Sequence, residues 1–314
     1  MAMKKVIILG STGSLGTQSI EVLKKYRKEF EIIGLSGNKN VDLLRKQAKE
    51  LGVKNLATTP EEILSLASHP DADVVINVIS GIAGFSPTQA ALKSKKTLIL
   101  GNKESIIIEG LPSPVIPLDS EHNAIFEILK CRPNKNPARL VIPASGGPLL
   151  NIPDLSKVTL EKALSHPKWS MGAKISIESA TLINKGFEIV EAHYLFGVPL
   201  EKIEAKIHPE CEIHGIVEFE DGETLAYFGK PDMKEHIENA LLHVLGVPTK
   251  RDIREVDLKS LNLPSPPNHL PGIELVLKAH RQGKMREFLV KEEESLEKLF
   301  AEKINFPTFL EELF

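Results

Sequence analysis

Two carboxylates flank a serine in the stretch IPLDSEHNAIFEILK, residues 116–130, where an apolar strand-like run gives way to a helical pattern. Asp119 stands where the strand should end, and Ser120 could cap the helix that follows. The simplest role for Asp119 and Glu121 is therefore to complement the positive end of the helix dipole. A third acidic group widens the possibilities. SATLINKGFEIVEA places Asn184, Lys185 and Glu188 within about one helical turn, with Glu191 a turn further on. Carboxylate oxygens of this kind suit Mg²⁺ or Mn²⁺, which take a few of them and complete their shell with water and substrate.

Groups suited to an anion lie in the same half of the chain. Ser145-Gly146-Gly147 follows the apolar run ARLVIPA, and Ser179, Asn184 and Lys185 offer hydroxyl, amide and ammonium donors to a phosphate. Taken singly, Ser145 equally fits a turn and Ser179 a helix start. HPKWSMG, residues 166–172, sets the only tryptophan, Trp169, among Pro and Gly, which fits a mobile flap and equally a surface-packed ring. His208 and His214 are six apart, a spacing that fits no helical metal pair and leaves them as packing or hydrogen-bonding histidines.

A glycine loop stands near the N-terminus. Gly10-Ser11-Thr12-Gly13-Ser14-Leu15-Gly16 follows the apolar run KKVIIL and opens a helical pattern, the context in which backbone N–H groups and a helix dipole hold a pyrophosphate. Its spacing is GxxGxxG, so a plain strand-to-helix turn is the alternative. After the next apolar run comes Ser36-Gly37-Asn38-Lys39-Asn40, with a lysine and no carboxylate, a turn better matched to a 2′-phosphate than to a free ribose. NADP is the expected dinucleotide.

The elements that must position these groups follow from periodicity. Residues 4–103 alternate short apolar runs with helical spacing, a βαβ rhythm that predicts a mostly parallel sheet covered on both faces. Ligands of such sheets sit at strand C-terminal ends. The rhythm breaks at CRPNKNPARL, and IHGIVEFEDGETLAYFG reads as an antiparallel hairpin turning at Asp221-Gly222. LPSPPNHLPG, residues 263–272, carries four prolines and reads as a linker. One or two helices are expected around Ile273–Leu277 and Phe288–Phe300. The expected division is a Rossmann-like dinucleotide domain over 1–132, an α+β catalytic domain over 133–245, a linker over 246–272 and a small helical region over 273–314.

Composition limits the function classes. The 314 residues carry 39 basic and 42 acidic side chains, a formal net charge of −3, spread so that no field points to nucleic acid or anionic lipid. Cys131 and Cys211, 80 residues apart, lack CxxC or His-paired spacing, which argues against a disulfide framework or zinc knot and fits a reducing cytoplasm. The run VIILG is too short for a signal-peptide core, and no segment approaches the ~20 apolar residues of a membrane span.

Taken together, GSTGSLG, GNKES, PLDSEHNAIF, SGGP, HPKWSMG, KIS..SAT..NKG.E..EA and GKPDM resemble the 1-deoxy-D-xylulose 5-phosphate reductoisomerase family. The likeness runs from residue 4 to about residue 235 and more faintly through the last helices. It implies an NADPH- and divalent-metal-dependent oxidoreductase that isomerises and reduces a sugar phosphate, working as a cytoplasmic homodimer. It implies that Asp119, Glu121 and Glu188 hold the metal, and that Ser145, Ser179, Asn184 and Lys185 hold the substrate phosphate. Lys103 and Ser120 would touch the substrate backbone, His166 would orient it, and Trp169 and Met171 would belong to a closing flap. The glycine loop from Gly10 to Leu15, the turn Gly37 to Asn40, and Asn102, Lys103 and Glu104 would line NADPH. The chain departs from the family where an asparagine-rich NAANE helix reads Lys291-Glu292-Glu293-Glu294-Ser295, and it stops before the family's final helices. Two other readings fit parts of the pattern. One is a different NADP-dependent dehydrogenase, of which the aspartate-semialdehyde type would need an activated cysteine that Cys131 does not resemble. The other is a catalytically silent NADPH or sugar-phosphate sensor.

Overall fold

The computed structural model describes residues 2–111, 114–168, 172–249 and 251–313. In chain order its elements begin with β1 (Lys4–Leu9), α1 (Ser14–Leu23), β2 (Phe30–Ser36), α2 (Val41–Leu51), β3 (Asn55–Ala57), α3 (Pro60–Ala67), β4 (Val74–Asn77), α4 (Phe85–Lys93), β5 (Thr97–Leu100), α5 (Glu104–Ile107), β6 (Ile116–Pro117) and α6 (Ser120–Cys131). There follow β7 (Pro137–Ala144), α7 (Leu160–Leu164), α8 (Ala173–Ala180), α9 (Ile183–Phe196), β8 (Ile203–Ile207), β9 (Ile213–Phe219), β10 (Thr224–Phe228), α10 (Met233–Val244), β11 (Asp252–Glu255), α11 (Gly272–Arg281), α12 (Met285–Phe300) and α13 (Phe306–Glu312).

The chain divides into two compact units, each built from separated stretches. The first, Met1–Ser105, Leu111–Asn123 and Asp232–Lys250, holds a six-stranded parallel sheet in the order β3-β2-β1-β4-β5-β6. That order is the doubly wound one expected of successive right-handed βαβ crossovers. Strands β1, β4 and β5 are nearly unbroken runs of Val, Ile and Leu because helices cover both faces of the sheet. Pro117 is tolerated because β6 is an edge strand.

The second unit, Ile106–Gly110, Ala124–Pro231 and Arg251–Phe314, holds a mixed sheet in the order β11-β10-β9-β7-β8. β7 and β8 run parallel, while β9 pairs antiparallel with β7 and with β10. The β9–β10 hairpin turns where expected, with Gly222 at φ +89. Leu140, Ile142, Val217, Phe219 and Tyr227 of the sheet and Ile189 and Ala192 of α9 share one core. Helix α11 lies on α9 at Gly186, where an added Cβ would come 2.8 Å from Val276 Cβ.

Three features differ from the organisation expected from sequence. Helix α10, which falls within the region 133–245 expected to be catalytic, belongs to the first unit, because Ile237, Ala240 and Leu241 complete the core formed by Val6, Ile20, Leu23 and Ile76. The stretch 246–272, expected to be a linker, contributes edge strand β11, which pairs antiparallel with β10, and only its proline-rich part stays irregular. Among the described residues the C-terminal region forms three helices, α11 to α13, rather than one or two. No helix among the described residues is long and apolar enough to cross a membrane.

Candidate active site

In the first unit, the three glycines of the GxxGxxG loop differ in what the fold asks of them. Gly10 takes φ +86, and a Cβ there would lie 3.0 Å from Val78 O. Gly16 presses the start of α1 onto the loop, where an added Cβ would sit 2.2 Å from Gly10 O. Gly13 is exposed, has φ −77, and would place a Cβ at an ordinary 3.4 Å, so nothing in the protein itself requires glycine there. Helix α1 begins at Gly13 with no side-chain cap, leaving its first N–H groups for a ligand. Thr12, Ser14 and Leu15 stand on this partly open rim, whereas Ser11 is buried, its hydroxyl within hydrogen-bond distance of Ser36 O at 3.0 Å and Gln47 Oε1 at 2.9 Å.

The turn after β2 reaches the same place. Gly37 packs so closely on Thr12 that a Cβ would lie 2.8 Å from Thr12 Cγ2. Asn38 and Lys39 are exposed beyond it, while the Asn40 side chain accepts from Leu43 N at 3.0 Å and caps α2. Asn102 and Glu104 brace the loop after β4. Asn102 Nδ2 donates to Ile79 O at 2.7 Å and Gly81 O at 2.8 Å, and Glu104 Oε1 accepts from Gly81 N at 2.8 Å.

Lys103 is buried between these two residues and turns to Asp119, its Nζ lying 2.7 Å from Oδ2. His122 Nδ1 lies 3.0 Å from the other oxygen, Oδ1, which also accepts from Glu121 N at 3.3 Å. Asp119 therefore occupies the cap position expected of Ser120, whose hydroxyl instead donates to the Glu121 carboxylate. Burial pushes the Asp119 carboxyl upward, but Lys103 and His122 outweigh it and hold the group well below the usual carboxylate range. Asp119 is thus an anion ready to ligate. His122 was not foreseen, although its position one turn beyond Asp119 on α6 is a visible signal.

In the second unit, β7 runs into Ser145-Gly146-Gly147, with φ +83 and +64 at the two glycines. Ser145 Oγ accepts from Gly147 N at 3.2 Å and lies 2.9 Å from His166 Nε2. His166 Nδ1 accepts from Lys168 N at 3.2 Å, and burial pushes the imidazole pKa below its ordinary 6.5. Together these assign a neutral ring with its proton on Nε2, which donates to Ser145. With both contacts entering its oxygen, the Ser145 hydroxyl can direct its own proton at an anion.

Gly147 rests against the end of α8, where a Cβ would meet Ser179 O at 3.0 Å. Helices α8 and α9 join at Leu182, which takes the left-handed φ +63. On α9, Asn184 Nδ2 donates to Glu188 Oε1, and Lys185 Nζ pairs with Glu188 Oε2 and donates to Pro143 O at 2.7 Å. Glu188 and Glu191 are both buried. Ser179, Asn184, Lys185 and Glu188 therefore belong to one helix–elbow–helix element facing the serine–glycine turn. The elbow depends on a residue that sequence reading missed. Gly272 N donates to Thr181 O at 3.2 Å, and a Cβ at Gly272 would lie 2.3 Å from that oxygen and 2.4 Å from Ile183 N.

Trp169 and Met171, expected in a flap, lie outside the described residues. The histidines read as structural behave so: His208 Nε2 accepts from Glu212 N and Ile213 N at 3.2 Å each, and His214 Nε2 lies 3.0 Å from Lys230 O. Cys131 is exposed and Cys211 buried, and among the described residues neither forms a disulfide.

A doubly wound sheet with an uncapped glycine turn, joined to a mixed-sheet unit carrying a serine–glycine turn and a Lys–Glu helix, defines a two-unit α/β protein with a dinucleotide-type turn. Comparison with known proteins narrows the class. Residues 115–196 match the 1-deoxy-D-xylulose 5-phosphate reductoisomerase C-terminal domain, and residues 6–64 and 53–110 match 1-deoxy-D-xylulose 5-phosphate reductoisomerase. The enzyme of that name from Sulfurihydrogenibium sp. (strain YO3AOP1) is 41% identical over 308 residues, spanning 90% of this chain and 81% of its own length. That from Halothermothrix orenii is 39% identical over 315 residues, spanning 89% and 82%. A crystal structure of DOX-P reductoisomerase in complex with NADPH, fosmidomycin and magnesium superposes with a TM-score of 0.86 at 30% identity, covering 98% of this chain and 87% of that one. The Zymomonas mobilis enzyme in complex with NADPH gives 0.82 at 28%, covering 98% and 90%. The chain belongs to the 1-deoxy-D-xylulose 5-phosphate reductoisomerase family.

Proposed function

We propose that this chain catalyses the NADPH-dependent reductive isomerisation of 1-deoxy-D-xylulose 5-phosphate to 2-C-methyl-D-erythritol 4-phosphate. The observation that carries the reading is its similarity, over 98% of its length, to an enzyme solved with NADPH, fosmidomycin and magnesium. The local chemistry supports it. Asp119, Glu121 and Glu188 offer an all-oxygen donor set suited to Mg²⁺ or Mn²⁺, with Asp119 kept ionised by Lys103 and His122. The uncapped start of α1 and the exposed Gly13 suit the pyrophosphate of NADPH, with the turn Gly37–Asn40 beside it for the 2′-phosphate.

When bound, the cation polarises the substrate's carbonyl and hydroxyl oxygens, and NADPH supplies the hydride. The chain's own residues bind and orient. Ser145, Ser179, Asn184 and Lys185 grip the phosphate, a group that does not react, so its binding energy is available for positioning the reacting carbons. His166 acts through Ser145, fixing the direction of that hydroxyl. Lys103 and Ser120 contact the substrate backbone. The active form is a cytoplasmic homodimer, testable by light scattering of the purified protein.

The decisive experiment mixes purified protein with NADPH and Mg²⁺ or Mn²⁺ and follows nicotinamide absorbance. Oxidation should begin only on addition of deoxyxylulose phosphate and stop with fosmidomycin. Glu188→Gln should abolish turnover while sparing NADPH affinity. Nucleotide binding without turnover in the wild type would overturn the reading in favour of a sensor.

A further inference from the structure

The C-terminal helices carry a buried charge cluster for which the proposed chemistry has no use. Lys174, in the first turn of α8, reaches two carboxylates, with Nζ 2.5 Å from Glu178 Oε1 and 2.6 Å from Glu292 Oε2 on α12. Glu292 is 0% exposed and Glu178 is 3% exposed. Glu292 Oε1 is buried with no hydrogen-bond partner among the described residues. One ammonium between two buried carboxylates leaves a surplus negative charge, which a protein interior avoids by retaining a proton. Burial, and then the neighbouring Glu178, pushes the Glu292 carboxyl well above its ordinary 4.5, against the pull of Lys174.

On the neighbouring helices, Glu312 of α13 bonds Ser295 and Lys298, and His280 of α11 meets His193 and Tyr194 edge-on. Phe187 of α9 meets Phe288 of α12 ring to ring. Glu178 immediately precedes Ser179, and Lys174 opens the helix on which both stand.

We propose that Glu292 is a positioning residue for the substrate-phosphate subsite: from α12 it holds Lys174, which also pairs with Glu178, and so fixes α8 and sets the place of Ser179. This rests on the reading of Ser179 as a phosphate donor.

Two measurements test it. The first compares thermal or urea stability of wild type and Glu292→Gln between about pH 5 and pH 9. The unfolded chain releases the Glu292 proton above its ordinary 4.5 while the folded chain keeps it, so wild-type stability falls with rising pH. The fall ends once pH exceeds the folded-state value. Relative to Glu292→Gln, the wild-type unfolding constant should therefore rise about tenfold per pH unit within that window. Parallel curves would overturn the shared proton.

The second measurement is kinetic. Glu292→Ala should raise KM for deoxyxylulose phosphate about tenfold, the effect of one charge-assisted hydrogen bond, with NADPH affinity unchanged. Glu292→Gln, which still accepts from Lys174, should restore KM to within about twofold of wild type. A wild-type KM in Glu292→Ala, or a defect that glutamine fails to rescue, would overturn the positioning role. A wild type inactive on deoxyxylulose phosphate would sink the functional reading and the positioning role with it, while the stability comparison would still decide where the proton sits.

Discussion

Adding one methyl group at either of two glycines, three residues apart, separates folding from nucleotide binding. In Gly16→Ala the new Cβ meets backbone atoms only, Gly10 O at 2.2 Å and Ser11 Cα at 2.5 Å. Ordinary contact begins at 3.4 Å, so the loop and helix must part by about 1.2 Å (3.4 − 2.2). Overpacking of this kind costs ~1–3 kcal/mol. At ~2–4 °C per kcal/mol for a large domain, the melting temperature should fall by several degrees. In Gly13→Ala the Cβ stands 3.4 Å from Gly10 O with φ −77, a conformation open to any residue. The only folding cost is the poorer N-cap, ~1 kcal/mol or less. That methyl nevertheless occupies the space before the uncapped N–H groups of α1. A pyrophosphate held there would lose part of its charge-assisted bonding, ~1.5–3 kcal/mol, or about ten- to a hundredfold in Kd. NADPH fluorescence titrations run beside melting curves should show Gly13→Ala weakened in binding with a small shift in melting, and Gly16→Ala weakened in both. Wild-type NADPH affinity in Gly13→Ala would refute the reasoning and leave the loop a plain turn.

Two further outcomes follow from the site. Asp119 has its pKa depressed by Lys103 and His122, so it contributes stability that is complete above its ordinary 3.8 and is lost as pH falls through the lower folded-state value. Urea titrations with chelator present should show the wild-type advantage over Asp119→Asn shrinking once pH drops below about 3.8, and a constant difference would contradict this. In Gly272→Ala the α8–α9 elbow must open by about 1.1 Å (3.4 − 2.3) against backbone, lowering melting by several degrees. It should also cut kcat/KM at least ~tenfold with NADPH affinity unchanged, and wild-type values of both would remove the elbow from the account.

The first sheet was readable because its period is local: each apolar strand and amphipathic helix announces itself within about ten residues, and handedness then fixes the strand order. What escaped reading is what distance decides. Periodicity marks α10 as an amphipathic helix, yet nothing in Ile237, Ala240 and Leu241 says which of two cores they fill. Strand β11, Asp-Ile-Arg-Glu, is three-quarters charged, as an edge strand can be, and so resembles a loop. Leu182 shows no local sign of its left-handed backbone, because the glycine packed against it arrives 90 residues later. Glu292 is the instructive case. Read by composition, Lys291 to Glu294 is a solvated charge run. Read by helical period, position 292 falls on the stripe of Met285, Phe288, Leu289, Ser295, Leu296 and Leu299, all of which are buried. An acid on an apolar stripe must find a cation or keep its proton. The period therefore predicts burial there, although not the lysine 118 residues earlier that answers it.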